Sequence, residues 1–131
     1  MGRSYIYKCG KGVDERCLIG YMIEQTVNIR PISVNECWQG RRFKTKLYAD
    51  YERSVLLLLP KPERIYEGNL EVEIVFYFKH PKKRDVDNGV KPALDLLQKR
   101  GYFKNDNQIV SLIARKEQSD EEGWRFRICK I

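Results

Sequence analysis

From Leu70 to Phe78 the chain reads LEVEIVFYF, and large apolar residues fall on every second position: Leu70, Val72, Ile74, Phe76 and Phe78. Alternate residues of an extended chain share a face, so this stretch is a strand laid on a core. His80-Pro81 ends it, because proline has no amide hydrogen to give to a sheet. A different period appears at Tyr48, Tyr51, Val55 and Leu58 or Leu59, and it predicts an amphipathic helix over 48–59, stopped by Pro60 and Pro62. Val90, Leu94 and Leu97 repeat in the same way, with Gly101 as a C-terminal stop. Pro92 cannot donate a backbone hydrogen bond, so the regular helix is expected to start close to it, after an irregular turn at 87–91. Ile109–Lys116 and Trp124–Ile131 predict a closing pair of strands, joined by the acidic turn Ser119-Asp120-Glu121-Glu122-Gly123.

Upstream the pattern thins. Val27–Ile29 reads as a short strand ended by Arg30-Pro31, and the following residues as a loop rich in Arg and Lys. Ser4–Lys8 and Cys17–Ile23 flank the turn-rich Cys9–Asp14, which makes a candidate β-hairpin.

At 131 residues, one domain is the natural expectation. A net charge of +7 favours a polyanionic partner, nucleic acid or an anionic membrane surface. The longest apolar run, Val55–Leu59, is far too short to span a bilayer, and Met1–Tyr5 lacks the apolar segment of a secretory signal. The expectation is a soluble intracellular protein. Cys9, Cys17, Cys37 and Cys129 show no C-x-x-C spacing, and His80 is the one histidine. That argues against structural zinc and for free, partly buried thiols.

Candidate chemistry centres on RDVDNGVK, residues 84–91. In extended backbone Asp85 and Asp87 point the same way, and two such carboxylates repel unless a cation sits between them. Magnesium or manganese suits oxygen ligands. Asp106 is the candidate third acid, in a turn before the Ile109 strand that a strand–helix–strand unit can bring back beside the end of the first strand. Lys91 follows Asp87 by four residues and Asp95 follows Lys91 by four, so a helix would line them along one polar stripe. Lys91 is then within reach of a phosphate oxygen beside the metal. On spacing alone, helix capping and a solvated turn outweigh metal binding. The positive neighbours Lys79, Lys82, Lys83 and Arg84 shift the balance toward a metal site that works on phosphate. Asp95 reads as an exposed helical salt bridge to Lys91 or Lys99. Arg41, Arg42, Lys44 and Lys46 form a further basic patch, and Arg115 with Lys116 another. Trp38 is either a base-stacking residue or, the more common case, a residue packed on the core. His80, at a strand end, reads as structural.

The run RDVDNGVKPALDLLQKRGYFKNDNQI resembles the signature of the RusA family of Holliday-junction resolvases: Asp-x-Asp-Asn, Lys three after the Asn, Asp-x-Leu, Gly, then Asp-Asp-x-Gln-Ile or Val. PISVNECW resembles the family's Pro-Ser-x-Asn segment, and the cluster from 85 to 109 matches without a gap. The resemblance covers 26–131 and leaves 1–25 as an N-terminal extension. It implies a single α+β domain with a mixed β-sheet and two main helices, working as a homodimer. The implied activity is magnesium-dependent cutting of branched DNA, a four-way junction, by paired phosphodiester hydrolysis, with manganese able to substitute. Asp85, Asp87 and Asp106 are implied as metal ligands, and these three with Lys91 as the catalytic set. Asn35, Arg41, Arg42, Lys44, Lys46, Lys82, Lys83, Arg84 and Lys116 complete the candidate DNA contacts. A cytoplasmic setting in a bacterial or phage-bearing cell, with no membrane partner, goes with it. One departure is Asn105, where the family has the first of two consecutive acids. The rival readings are a junction-binding protein that does not cut, and a metal nuclease that prefers flaps or forks.

Overall fold

The strand marked by alternation, β5 (Leu70–Phe78), lies inside a five-stranded sheet of order β1-β2-β7-β5-β6. The structure, a computed structural model, describes residues 3–6, 21–39 and 43–131. The sheet is completed by β1 (Arg3–Ile6), β2 (Tyr21–Val27), β6 (Ile109–Gln118) and β7 (Gly123–Lys130). Strand β5 runs parallel to β6 and antiparallel to β7, so the sheet is mixed, as expected. The closing strands do not pair with each other, however: β5 stands between them. A parallel neighbour needs a crossover, and the helix after β5 provides it.

Among the described residues the fold has three α-helices: α1 (Val34–Cys37), α2 (Lys46–Leu58) and α3 (Val90–Arg100). An antiparallel pair of two-residue strands, β3 (Trp38–Gln39) and β4 (Phe43–Lys44), separates α1 from α2. The alternating residues of β5 meet Tyr51 and Val55 of α2, Leu94 and Leu97 of α3, and Trp124, Phe126 and Ile128 of β7 in one core. Helix α2 starts two residues before the apolar period because Thr45 caps it: its hydroxyl oxygen accepts from the Tyr48 amide at 3.1 Å. Helix α3 carries Pro92 in its first turn, preceded by a 3-10 turn at Val86–Gly89, so the irregular lead-in lies where expected. It ends at Gly101, whose φ of +100° is a left-handed conformation that glycine adopts without strain.

Two upstream expectations change. The strand expected at Val27–Ile29 ends at Val27 and begins at Tyr21, because its partner is β7 from Met22↔Cys129 to Val27↔Trp124. The expected loop after Pro31 contains α1, built by a capping box in which Ser33 and Glu36 satisfy each other's backbone amides. Of the N-terminal hairpin, the antiparallel pairing of β1 with β2 is described, while the turn-rich Cys9–Asp14 lies outside the described residues. Cys37 is a free, buried thiol whose pKa burial pushes up to about 11. Cys129 is disulfide-bonded, which corrects the expectation of free thiols throughout. Among the described residues no helix is long and apolar enough to cross a membrane.

On the sheet face away from the helices, Glu71 is fully buried. Arg127 donates to one of its oxygens at 3.3 Å and the Ser111 hydroxyl to the other at 2.9 Å. Removing one member of a buried ion pair leaves the other charge without its partner, which costs far more than the pair is worth. Arg127→Ala is therefore expected to lower unfolding stability by about 3–5 kcal/mol, read from urea denaturation. A loss below about 1 kcal/mol would show that the Glu71 charge is compensated without Arg127.

Candidate active site

The turn after β5 is fixed from beneath by apolar residues. Val86 and Val90 pack against the core, while Asp85 and Asp87, on either side of Val86, are exposed. Asp85 is the extended residue that enters the 3-10 turn Val86–Gly89, and the turn partly buries Val86 while leaving Asp87 outward. Asn88 donates its side-chain amide to Asp85 at 3.4 Å. Gly89 lies against the sheet so closely that a Cβ there would stand 2.9 Å from two ring carbons of Phe76.

The segment is also held from the side. Lys116 of β6 donates to the carbonyls of Pro81 and Arg84, both at 2.8 Å. Further on, Lys91 donates to Asp106 at 3.1 Å, in the turn that leads into β6. Residues 84–91 are therefore strung along β6, from its Lys116 end toward the end where it begins. This corrects one expectation. The Asp106 turn lies beside the start of β5, where Leu70 pairs with Ile109, and not beside its end. It meets the acid-bearing segment because that segment comes back along the sheet.

Asp106 opens a 3-10 turn, Asp106–Gln108. Asn105 caps this turn, accepting from the Asn107 amide at 3.0 Å, and Gln108 ties it to the carbonyls of Tyr66 and Gly68, each at 3.0 Å. Lys91 also donates to Asp95, one helical turn along α3, at 2.9 Å. Its hydrogen bonds to Asp95 and Asp106 hold its pKa above the usual lysine value, against a smaller desolvation effect.

The structure thus joins Lys91, Asp95 and Asp106 directly and sets Asp85 and Asp87 on the adjoining turn. Among the described residues it does not gather three acids, histidines or cysteines into a group that could hold a metal ion. The donor set is still of the right kind for a hard divalent ion: Asp85 and Asp87 offer exposed carboxylates, and Asp106 already accepts a cation, the Lys91 ammonium.

The basic residues divide by what already occupies them. Lys82 and Lys83 are exposed on the 3-10 turn Pro81–Lys83, and the Arg84 guanidinium lies 5.8 Å from the Phe78 ring centre. Lys46 is exposed at the first position of α2, and Asn35 is exposed on α1. Lys44 is paired with Glu52 at 3.0 Å and sits over the Tyr48 ring. Arg41 and Arg42 lie outside the described residues. Arg115 and Lys116 do not form one patch, because neighbours in a strand face opposite ways: Arg115 pairs with Glu73 at 3.8 Å, whereas Lys116 reaches the turn carbonyls. Trp38 is 43% exposed, edge-on to Tyr48 at 5.8 Å, so the core does not enclose it.

A cavity of about 110 Å³ opens beside Asp85, with Pro31, Ile32 and Ser33 on one wall and Phe78, Arg84 and Asn88 among its other lining residues. Ser33 had a signal in the sequence only as part of PISVNECW, the segment that resembles the family's Pro-Ser-x-Asn. Asn88 had one, its place directly after the paired acids.

Comparison with known proteins gives the chain relatives. Residues 26–128 match the family described as Endodeoxyribonuclease RusA. A protein named Crossover junction endodeoxyribonuclease RusA, from Aquifex aeolicus, is 27% identical over 68% of this chain and 73% of its own length. A crossover junction endodeoxyribonuclease from Lactococcus phage r1t is 28% identical over 63% of this chain and 72% of its own. A probable nucleolar complex protein 14 from Debaryomyces hansenii is 29% identical over 69% of this chain, which spans only 11% of that protein.

The Gly89 contact yields a direct test. Gly89→Ala drives a methyl group into the Phe76 ring, so the turn must lift or the core must shift, at about 1–3 kcal/mol. Thermal unfolding should show the loss, and Phe76→Leu in the same chain should recover part of it. An Ala variant as stable as the parent would mean that the turn does not rest on Phe76.

Proposed function

Because the chain belongs to the RusA family of endodeoxyribonucleases, we propose that it cuts branched DNA, resolving a four-way junction by paired phosphodiester hydrolysis that depends on magnesium. The observation that carries this reading is Lys91, held at 3.1 Å from Asp106 at the head of the helix that Asp85 and Asp87 precede. Asp85, Asp87 and Asp106 would hold the ion, with manganese able to replace magnesium. Such an ion supplies Lewis acidity to the phosphate and an activated water. Lys91 donates to a non-bridging phosphate oxygen and offsets charge that builds in the transition state. Lys82, Lys83 and Arg84 bind neighbouring phosphates and orient the strand without reading its sequence. Asn35, Arg41, Arg42, Lys44 and Lys46 extend this contact. Lys116 contributes by holding the carbonyls of the basic turn in place. Two subunits about a twofold axis match two symmetric cuts.

A second reading, binding without cutting, is favoured by one observation: the described acids are not drawn together into a ligand group. The deciding experiment compares a four-way junction, a flap and plain duplex, with and without magnesium. Paired symmetric cuts in the junction alone, requiring magnesium, are expected. Cutting of flaps or forks in preference would move the substrate class, and binding without cutting would favour the second reading.

Two further outcomes are expected. Asp85→Asn, Asp87→Asn and Asp106→Asn should each abolish cleavage while keeping or tightening junction binding, since each removes a negative charge near phosphate. Normal cutting by Asp106→Asn would remove it from the site. Lys91→Ala should slow single-turnover cleavage far more than it weakens binding, whereas Lys82→Ala with Lys83→Ala should weaken binding and flatten its salt dependence by about one unit of slope per lost contact. If Lys91→Ala loses affinity alone, Lys91 is a phosphate clamp.

A further inference from the structure

We infer that Asp95 is a positioning residue for Lys91, and that the Lys91 ammonium and a divalent ion compete for Asp106. This rests on the metal site proposed above. Lys91 lies between two carboxylates on different elements, Asp95 at 2.9 Å and Asp106 at 3.1 Å. The Asp106 turn is fixed independently through Gln108, and Asp95 is fixed by the helix itself. Neither acid needs to move for the ammonium to pass between them.

Asp95 is poorly explained as a stabiliser of the helix. An acid four residues before a lysine supports a helix best, and here the order is reversed. Lys91 is the second residue of α3, where the positive end of the helix dipole disfavours a cation. Lys99, the other lysine in reach of Asp95 by spacing, is paired with Glu52 at 2.6 Å. Asp95 thus serves a lysine placed at the unfavourable end of its helix, at the point where that lysine meets Asp106, a candidate metal ligand.

The competition follows from charge. A dication on Asp106 and an ammonium on the same carboxylate repel, and the ammonium must leave. Asp95 keeps it within one side chain's swing of the site, ready for a phosphate oxygen. Without Asp95, Lys91 falls back on Asp106 alone and opposes the incoming ion.

The test uses manganese alone, on the full DNA-free chain, with binding followed by electron paramagnetic resonance of the free ion. Lys91→Met should bind Mn2+ more tightly than the parent, and Asp95→Asn more weakly. Asp95→Asn should have little effect in the Lys91→Met background, a coupling of at least about threefold in affinity. Asp95→Glu should recover most of the parent's affinity, and thermal unfolding should show that each variant folds. With DNA, Asp95→Asn should slow single-turnover cleavage without weakening junction binding. If Asp95→Asn changes Mn2+ affinity equally in both backgrounds, Asp95 acts as a remote charge and the inference is overturned; no change in either overturns it too. Asp106→Asn separates the two levels. Unchanged Mn2+ binding in that variant removes the metal site itself, whereas lost binding there with no Asp95–Lys91 coupling removes only the role of Asp95.

Discussion

Parallel pairing of β5 with β6 is the constraint from which the site follows. Strands that run the same way side by side place the exit of one and the approach to the other at opposite ends of the sheet. Asp85 and Asp87 follow the exit of β5, and Asp106 precedes β6, so the helix crossover alone would hold them a strand's length apart. Contact across that distance is made by Lys91, which reaches Asp106 because residues 84–91 double back along β6, gripped by Lys116 at one end and Lys91 at the other. Gly89 allows that return to lie flat, since any side chain there would meet Phe76. Two ammonium groups and one missing methyl group thus do what the strand order does not.

Among the described residues, basic side chains differ in what occupies them. Lys116, Lys99 and Lys44 direct their hydrogen bonds to carbonyls and to Glu52, and they tie loops and helices together. Lys82 and Lys83 are instead exposed on the 3-10 turn that precedes Asp85. A net charge of +7 does not distinguish these cases. Part of that charge is already engaged within the fold, as Lys116, Lys99 and Lys44 show.

Local patterns made much of this fold legible. The alternation of β5, the helical periods of α2 and α3, and the Gly101 stop depend on neighbours in sequence, and they stand where the pattern puts them. Helix α1 was legible too: Ser33 and Glu36 have the spacing of a capping box, overshadowed by the charges around them. What escaped was non-local. Nothing near Ile109 or Trp124 says that β5 separates their strands, because that choice rests on pairing between segments distant in sequence. Within the site, the spacing of Asp85, Asp87 and Lys91 was readable, and so was the turn at Asp106. The direct contact of Lys91 with Asp106, and the carbonyls that occupy Lys116, depend on the return along β6, which leaves no trace in composition or period.

Asn105 carries a wider consequence. Its side chain caps the Asp106 turn by accepting an amide hydrogen, a task that an aspartate oxygen performs equally well. The position can therefore exchange between the two residues over evolutionary time at almost no cost to the architecture. Each exchange changes the local negative charge by one unit next to Asp106. For the metal site proposed above, a single-nucleotide change at this position would then act as a dial on cation affinity while the backbone stays the same.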